Sequence, residues 1–297
     1  MIEWGVLDLG RNLADCRPDE RMAVTTQLAR TAERHGMQRY WVAEHHNPQV
    51  CLAAPEIALA AIAASTTSIR VGSGGVLLQY YSPLKVAEVY LTLAAAFPER
   101  VELGVCRGPG VADDAVRLEL VSGQQEELLP DVYDSKVAQL ATLLDADAER
   151  GPLQPSPRGV AAPPLWVLGS GPSSVAQAVR HRSRYGYMCF FPGSEEVGPP
   201  LIADYLSGMG TEPADGPMIT VSMIIGRTTQ EAQEMHSALR EQGYMEINIV
   251  GDAAQCVDAA ERMCRAYRAG SVLVALVAPS GAEQLEQLDR LGAALAP

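Results

Sequence analysis

Two adjacent histidines beside a glutamate are the first residues whose types and spacing could do chemistry. Glu44, His45 and His46 follow the apolar run RYWVA (39–43), and the chain has only five histidines among 297 residues. Successive side chains of a strand point to opposite faces, so one histidine is predicted to face a cavity and the other to pack or hydrogen-bond outside it. A metal ion is an alternative partner for this cluster, although the next predicted strands offer no carboxylates to complete its ligands.

A cysteine and an arginine end another apolar run, RVELGVC (100–106). Arg107 follows Cys106 and lies among small residues. A guanidinium in such a place can bind a phosphate through two parallel hydrogen bonds. A salt bridge to a carboxylate of a neighbouring strand is the alternative for an isolated arginine.

The stretch GSGPSS contains glycines and hydroxyl residues directly before a helical pattern. Gly169, Ser170, Gly171 and Ser173 belong to this stretch, which follows the apolar run LWVLG (165–169). Backbone N–H groups and hydroxyls at the start of a helix favour a bound phosphate. An ordinary helix cap with a tight turn explains the same residues equally well.

Several glycines interrupt a third apolar run, IRVGSGGVLL (69–78). Glycine inside a strand is costly unless the backbone must come close to another group, and a flat ring lying against Gly72 to Gly75 would supply that reason. A β-bulge or a tight corner of a barrel is the alternative. Such a site can also hold a cis peptide bond without proline.

These four stretches each lie at the end of a predicted strand. Eight apolar, β-rich segments alternate with helical patterns, and such alternation predicts a parallel sheet that is covered on both faces. The predicted strands are 2–8, 39–43, 69–78, 100–106, 165–169, 187–191, 218–226 and 271–277. The predicted helices are 19–36, 55–66, 82–98, 131–147, 172–186, 196–208, 228–243, 252–268 and 280–295. Gly186 is read as a helix cap, and the helix 196–208 as broken by prolines.

Eight strand–helix units at this length predict a (β/α)₈ TIM barrel that forms one domain over residues 1–297. An open, doubly wound sheet is the structural alternative, but no strand ends in a G-x-G-x-x-G fingerprint. In a barrel the C-terminal ends of all strands meet at one face, where active sites lie. The four stretches are therefore predicted to share one site.

Taken in this order, four longer stretches resemble the bacterial luciferase-like flavin monooxygenase family. They are RYWVAEHHN (39–47), APEIALAAIAASTTSIRVGSGGVLL (54–78), YSPLKVAEVYLTLAAAFPERVELGVCRGPG (81–110) and PPLWVLGSGPSS (163–174). The resemblance implies a TIM barrel that uses reduced FMN and oxygen to oxygenate a small organic or carrier-bound substrate through a peroxide at the flavin C4a carbon. No NAD(P)H motif is present, so a separate flavin reductase is expected to supply the reduced FMN. Relatives of this kind commonly form dimers, and a homodimer is expected.

The resemblance also implies roles for individual residues. It assigns the cavity to His45. It also places Cys106 near the flavin ring. The candidate catalytic residues are thus His45 and Cys106, with Glu44 expected to orient a histidine and His46 as the supporting histidine. The residues placed against the cofactor are Gly74, Gly75 and Val76 at the flavin ring, with Arg107, Gly169, Ser170, Gly171 and Ser173 at its phosphate. The family often has a cis peptide bond without proline in the glycine-rich strand, and bacterial luciferase has a glutamate in place of Gly169.

One departure from the family leaves two other functions open. The stretch HSALREQGYMEINIVGDAAQ (236–255) is short where family members carry a long segment between the seventh strand and the last helix–strand unit. A short segment predicts an open site, a bulky or carrier-bound substrate, or a flavin site that has decayed. The alternatives are therefore an enzyme that uses the deazaflavin F420 and a flavin-free partner subunit without activity.

Composition excludes several other classes of protein. The formal charge of −13 argues against nucleic acid or an anionic membrane as the main partner. No apolar stretch is long enough to cross a membrane, and the N-terminal residues lack the basic region of a signal peptide. The six cysteines show neither C-x-x-C nor zinc-ligand spacing, so free thiols in a reducing, cytoplasmic setting are expected, without a metal.

Overall fold

The computed structural model describes residues 2–108, 110–111, 113–148, 152–210, 216–241 and 247–296. Strands and helices alternate through these ranges. The strands are β1 Glu3–Asp8, β2 Arg39–Val42, β3 Arg70–Ser73, β4 Val76–Leu77, β5 Val101–Cys106, β6 Leu165–Gly169, β7 Arg184–Met188, β8 Met218–Gly226, β9 Ile249–Asp252 and β10 Ser271–Leu276. The helices are α1 Arg21–Arg34, α2 Pro55–Ser65, α3 Pro83–Ala96, α4 Asp114–Leu120, α5 Pro130–Leu144, α6 Pro172–Arg180, α7 Ser194–Met209, α8 Thr229–Glu241, α9 Ala253–Ala266 and α10 Gly281–Leu295.

The sheet closes on itself. Neighbouring strands follow the order β1, β2, β3, β5, β6, β7, β8 and β10, and β10 pairs in turn with β1. The pairings between these strands are all parallel, β4 extends the place of β3 beside β5, and β9 lies outside the barrel against β8. The predicted (β/α)₈ barrel is confirmed. Its C-terminal end, where the strands run out, is called the mouth below.

Alternation along the strands divides the core into an inner and an outer part. One set of side chains fills the barrel, and the opposite set packs between the strands and the surrounding helices. The inner set consists of Leu7, Trp41, Ala43, Trp166, Leu168, Met218, Leu273 and Ala275, and it is called the inner cluster. Trp41 and Trp166 meet edge to face with ring centroids 5.7 Å apart. This packing makes the lower part of the barrel a solid core rather than a channel.

A buried ion pair lies at the N-terminal end of the barrel. Arg39 Nε donates to Glu102 Oε2 at 3.0 Å, and both side chains are almost completely buried. Trp41 Nε1 donates to the same oxygen at 2.9 Å, and Arg39 also pairs with Glu3. Because a buried charge without a partner is costly, these contacts hold β1, β2 and β5 together at the floor of the barrel.

Two predictions around the sixth barrel strand are wrong. Helix α6 ends at Arg180 rather than at residue 186, and the strand is Arg184–Met188 rather than 187–191. Arg182 takes a positive φ of 49°, which ends the helix without a glycine. Gly186 lies inside β7, where a Cβ would come 2.5 Å from Leu168 Cδ2. Packing inside the barrel, not a helix cap, therefore explains this glycine.

The interruption predicted in the following helix is also absent. Helix α7 runs continuously through Pro199 and Pro200. Its buried face includes Ile202 and Tyr205, so tertiary packing holds a helix that local preference disfavours.

Strand β9 was not predicted. It falls within the stretch 236–255, of which residues 242–246 lie outside the described ranges. It extends the sheet beside the C-terminal half of β8, with Met223 opposite Ile249. Within the described residues, no helix is both long and apolar enough to cross a membrane.

Candidate active site

The residues that follow β2 form a hydrogen-bonded network around one carboxylate. Glu44 is buried, and its Oε1 lies 2.8 Å from His46 Nε2 and accepts a hydrogen bond from the Tyr81 hydroxyl at 2.7 Å. Its Oε2 accepts from the backbone N–H of Leu77 at 3.0 Å. Glu44 therefore ties the end of β2 to β4 and to the turn after it. Tyr81 and Leu77 could not be assigned from the sequence, because no local pattern relates them to Glu44.

His45 lies on the other side of the same segment. It alternates with Trp41 and Ala43, which belong to the inner cluster, so it faces the mouth, whereas His46 shares the side of Glu44. Burial lowers the pKa of the His45 imidazole, a hydrogen bond to the Leu9 backbone opposes this shift, and nearby Arg11 lowers the pKa further. At pH 7 His45 is therefore a neutral imidazole that can accept a proton.

The glycine-rich strand is split in two. The peptide bond between Gly74 and Gly75 is cis, at the place where the resemblance implied such a bond. A Cβ on Gly74 would lie 2.4 Å from Leu7 Cδ1, and one on Gly75 would lie 3.0 Å from the Gly104 carbonyl carbon. The Gly104 backbone therefore restricts a side chain at position 75, whereas one at position 74 would meet the end of the flexible Leu7 side chain. Val76 begins β4 and pairs with Val105 of β5, which aligns this segment with the next strand.

Cys106 closes β5 beside the glycine-rich segment. Its Sγ lies 3.7 Å from the Gly75 carbonyl oxygen. Burial raises the pKa of the thiol to about 12, and the charge of Glu44 acts in the same direction. A cysteine with such a pKa is a neutral thiol at physiological pH, which argues against a nucleophilic role and suits packing beside a ligand.

Arg107 stands exposed directly after β5. Within the described ranges it has no ion pair and no hydrogen bond, so the salt bridge that the sequence left open is not formed there. The pairing of β5 with β6 runs to Val105 and Val167, two residues before Arg107 and Gly169. Adjacent strands are about 4.8 Å apart. Arg107 and the start of α6 thus follow neighbouring strands at the same end of the barrel.

The start of α6 is open to an anion. Ser174 Oγ donates to the Gly171 carbonyl at 2.6 Å and so makes the local turn contact, while no described residue bonds to the hydroxyls of Ser170 and Ser173. The first turn of α6 has neither a side-chain cap nor an acidic residue. A Cβ on Gly171 would meet no atom within 4 Å, whereas one on Gly169 would lie 2.7 Å from Ser174 Cβ. Gly169 is thus needed for packing, and Gly171 borders free space.

Other helix starts at the mouth are filled by the chain's own carboxylates. Asp15 accepts from the backbone N–H groups of Gly281 at 2.7 Å and Ala282 at 3.2 Å, and so occupies the start of α10. Asp252 caps α9 in the same manner. Many TIM barrels bind phosphate near their last strands, but here those helix starts already hold negative groups. The area of Arg107 and α6 is therefore the better phosphate site.

Asn248 is a further residue of the mouth that sequence reasoning missed. Its Nδ2 donates to the Cys189 carbonyl at 2.7 Å, and its Oδ1 accepts from the Ser222 backbone at 2.9 Å. It thereby bridges β7 and β8 where these strands separate. Within the described part of the chain, no group of three or more His, Cys, Asp or Glu side chains is placed to hold a metal ion.

The fold and the site together define a parallel barrel whose mouth carries free hydrogen-bond donors at the start of α6 and a neutral histidine after β2. The profile of the luciferase-like monooxygenase family matches residues 2–271. The chain belongs to this family. Membership supports an oxidoreductase, and flavin-dependent monooxygenases are among its structural neighbours.

Individual relatives agree with this assignment. The uncharacterized protein YceB of Bacillus subtilis strain 168 is 35% identical over 241 residues, which cover 79% of this chain and 72% of that protein. N-acetyl-S-alkylcysteine monooxygenase of the same strain is 36% identical over 181 residues, which cover 58% of this chain and 52% of the relative. The second match thus spans about half of that enzyme's length.

Solved structures of similar proteins share the complete barrel. Apo-MsnO8 matches with a TM-score of 0.88 at 29% identity, over 99% of this chain and 98% of that one. The oxygenating constituent of 3,6-diketocamphane monooxygenase from Pseudomonas putida, in complex with FMN, has a TM-score of 0.77 at 15% identity and 100% and 98% coverage. An F420-dependent secondary alcohol dehydrogenase has a TM-score of 0.68 at 15% identity and 100% and 99% coverage. The last two show the shared fold alone.

Proposed function

We propose that this protein is a monooxygenase that uses reduced FMN, delivered by a separate flavin reductase, and oxygen to oxygenate a small organic or carrier-bound substrate. The observation that carries this proposal is Arg107. It is an exposed cation, it has no hydrogen bond or ion pair among the described residues, and it follows the strand next to the one that leads into the open start of α6. A guanidinium and backbone N–H groups only donate hydrogen bonds, and hydroxyls can donate as well. Together these groups favour binding of a multivalent anion such as a phosphate.

The chain offers separate places for the two ends of FMN. Arg107, Ser170 and Ser173 supply donors for the phosphate, and Gly171 leaves room beside them. Gly74 to Val76 border the ring, with Cys106 next to them on the adjacent strand. Since β4, β5 and β6 lie side by side, one molecule can reach both places.

When bound, the reduced flavin supplies the electrons that activate oxygen and allow one oxygen atom to be transferred. The residues of the chain hold the cofactor and the substrate in position and exclude water from the site. The inner cluster closes the barrel below the mouth, which excludes water from that side. His45 is the group that can take up or return a proton there, because its imidazole is held neutral. Glu44 keeps His46 and the start of β4 in place.

Binding of FMN and riboflavin to Arg107→Ala tests the proposal. We expect FMN to bind about 10- to 100-fold more weakly than to the unaltered protein, because charge-assisted hydrogen bonds to the phosphate are lost. Riboflavin, which lacks the phosphate, should bind nearly as before. The measurement is quenching of flavin fluorescence for the oxidised forms and anaerobic titration for the reduced form, with F420 in parallel.

Arg180→Ala is the matched control, because Arg180 is an exposed arginine at the other end of α6. It should leave the binding of both flavins unchanged. Equal losses for FMN and riboflavin in Arg107→Ala would remove Arg107 from the phosphate site, and absence of binding by any flavin would end the proposal. The expected homodimer and cytoplasmic location stay predictions, and size-exclusion chromatography with light scattering measures the first.

A further inference from the structure

One layer of side chains inside the barrel, at the end opposite to the mouth, is polar. In a closed barrel of eight parallel strands, four inward side chains from alternate strands lie at one height. The same step of register recurs at four places around this barrel: Gly5 with Arg39, Gly72 with Glu102, Trp166 with Arg184, and Met218 with Ser271. The second residues of these pairs therefore form one layer. It is called the floor layer and consists of Arg39, Glu102, Arg184 and Ser271.

Three buried donors in or next to the floor layer have no hydrogen-bond partner among the described residues. They are Arg39 Nη2, Ser271 Oγ and Trp166 Nε1, in residues that are 1%, 1% and 0% exposed. A buried polar group without a partner costs free energy, and such groups in folded proteins commonly contact an ordered water or an ion. Three of them within two successive layers therefore point to a bound group.

The two described carboxylates in contact with this layer are already shared between cations. Glu102 Oε2 accepts from Arg39 Nε at 3.0 Å, and Glu102 Oε1 lies 3.6 Å from Arg184 Nη1. Glu3 binds Arg39 and, at 2.7 Å, Arg70 as well. The remaining donors consequently need an acceptor from outside the described residues.

Ser271 is the shortest side chain of the floor layer. In the order of the strands around the barrel it stands between Arg39 of β2 and Arg184 of β7. The Trp166 ring lies against both guanidinium groups, with its centroid 5.4 Å from each Cζ. A ligand in this layer must therefore be small, and it must lie over Ser271 between two cations.

The donors favour an anion over a water molecule. Guanidinium and indole N–H groups only donate hydrogen bonds, and a serine hydroxyl can donate as well. A water molecule would have to donate two hydrogens of its own, although the neighbouring carboxylates are already shared. An anion only accepts, and the guanidinium groups offset the loss of its water.

We propose that the floor layer binds one small monovalent anion, such as chloride, through Arg39, Ser271 and Trp166. The anion joins β2, β6 and β10 through a single group and thereby stabilises the closed barrel. The site lies below the inner cluster, at the end of the barrel opposite to the mouth. The inference therefore does not depend on the proposed flavin function.

Thermal unfolding in two sodium salts tests the proposal. The protein is dialysed into sodium gluconate, whose anion is too large for the floor layer, and into sodium chloride at the same ionic strength. An anion that binds only the folded chain raises the melting temperature by mass action. The melting temperature should rise by about 2 °C or more as chloride replaces gluconate, and the rise should saturate.

Ser271→Ala assigns this rise to the floor layer. In gluconate the variant should be as stable as the unaltered protein or more stable, because an unpaired buried hydroxyl is removed. In chloride the order should reverse, because one donor to the anion is lost. A chloride-dependent rise of the same size in both proteins overturns the inference.

Ser194→Ala is the matched control, because Ser194 is also buried but its Oγ already donates to the Cys189 carbonyl at 3.0 Å. This variant should lose the same melting temperature in both salts. Loss of the chloride-dependent rise in Ser194→Ala would mean that the rise does not report on the floor layer, and it would overturn the assignment.

Anomalous scattering from bromide locates the ion in the unaltered protein, whether or not the variants fold. Crystals grown in sodium bromide should show one anomalous peak within hydrogen-bonding distance of Ser271 Oγ and Arg39 Nη2. Absence of a peak there, or density for a water molecule without anomalous signal, overturns the inference.

Discussion

His45 and His46 are neighbours in the sequence with different surroundings. His46 lies 2.8 Å from the Glu44 carboxylate, whereas His45 faces the mouth and its imidazole pKa is lowered by burial. A neutral imidazole can accept a proton at pH 7, and it loses this ability when it becomes protonated. The two residues are therefore expected to respond differently to substitution, although both were candidates from the sequence.

The pH dependence of turnover tests His45. Because the pKa of His45 lies below its usual 6.5, kcat/KM should be constant near pH 7 and fall only as the pH drops through that lowered pKa. His45→Gln should reduce kcat by about 100-fold or more and abolish this acidic limb, while anaerobic titration still shows bound reduced FMN.

His35→Gln is the control for that experiment, since His35 pairs with Asp289 at 2.8 Å between α1 and α10. It should keep both the rate and the pH profile. An acidic limb that survives in His45→Gln would show that another group titrates.

Glu33 accepts three backbone hydrogen bonds through a single carboxylate oxygen. Its Oε1 accepts from the backbone N–H groups of Thr67, Ser68 and Ile69 at 2.9, 2.7 and 3.0 Å. Burial acts to raise its pKa, but these hydrogen bonds outweigh burial and hold the pKa at about 2. Helix α1 is thereby joined to the turn between α2 and β3. This turn sets where β3, and hence the glycine-rich segment, begins.

Unfolding by urea tests that connection. Because the folded pKa is below the unfolded one, the stabilising effect is present above about pH 4.5 and is lost as the pH falls towards 2. Glu33→Ala should lower the free energy of unfolding by about 1–3 kcal/mol at pH 7, and by much less at pH 2.5.

Glu33→Gln keeps an acceptor without the titrating charge. Its free energy of unfolding should therefore vary less with pH between 4.5 and 2.5 than that of the unaltered protein. A loss in Glu33→Ala that is equally large at both pH values would mean that the charge of Glu33 contributes nothing.

At the scale of the whole molecule, the buried pair at the floor decides how three strands meet. Arg39 and Glu102 are 63 residues apart in sequence, yet their side chains are in contact inside the closed barrel. The arginine also lies over the Trp166 ring, 5.4 Å from its centroid. Removing Glu102 leaves Arg39 with Glu3 as its remaining carboxylate, and removing Arg39 leaves Glu102 with Arg184 at 3.6 Å. Each single change therefore takes a buried counter-charge from its partner, whereas removing both takes the two charges away together.

A double-mutant cycle measures this dependence. Glu102→Gln should lower the free energy of unfolding by about 3–5 kcal/mol, while the double variant Arg39→Met with Glu102→Leu should lose less than the sum of its single changes. Glu261→Gln removes an exposed partner of Arg265, at 3.3 Å, and should cost about 0–1 kcal/mol. Strictly additive losses at Arg39 and Glu102 would contradict the coupling.

The barrel and several residues at its mouth could be predicted from the sequence. The alternation of apolar strands and helical patterns depends on neighbouring residues, so it can be read locally, and the parallel order then brings the strand ends to one face. Glu44, Arg107 and Ser170 were found in this way. Local patterns did not show where α6 ends, because Gly186 is required by contact with Leu168 of another strand.

Contacts formed in the folded barrel distinguish the candidate residues that are free from those that are already bonded. The closed barrel joins Glu44 to His46 and Tyr81, leaves Arg107 without a hydrogen bond or ion pair among the described residues, and fills the start of α10 with Asp15. Each of these contacts involves residues brought together by the closure and register of the barrel. Spacing along the chain carries little information about such contacts, because register depends on how all eight barrel strands pack around one shared interior.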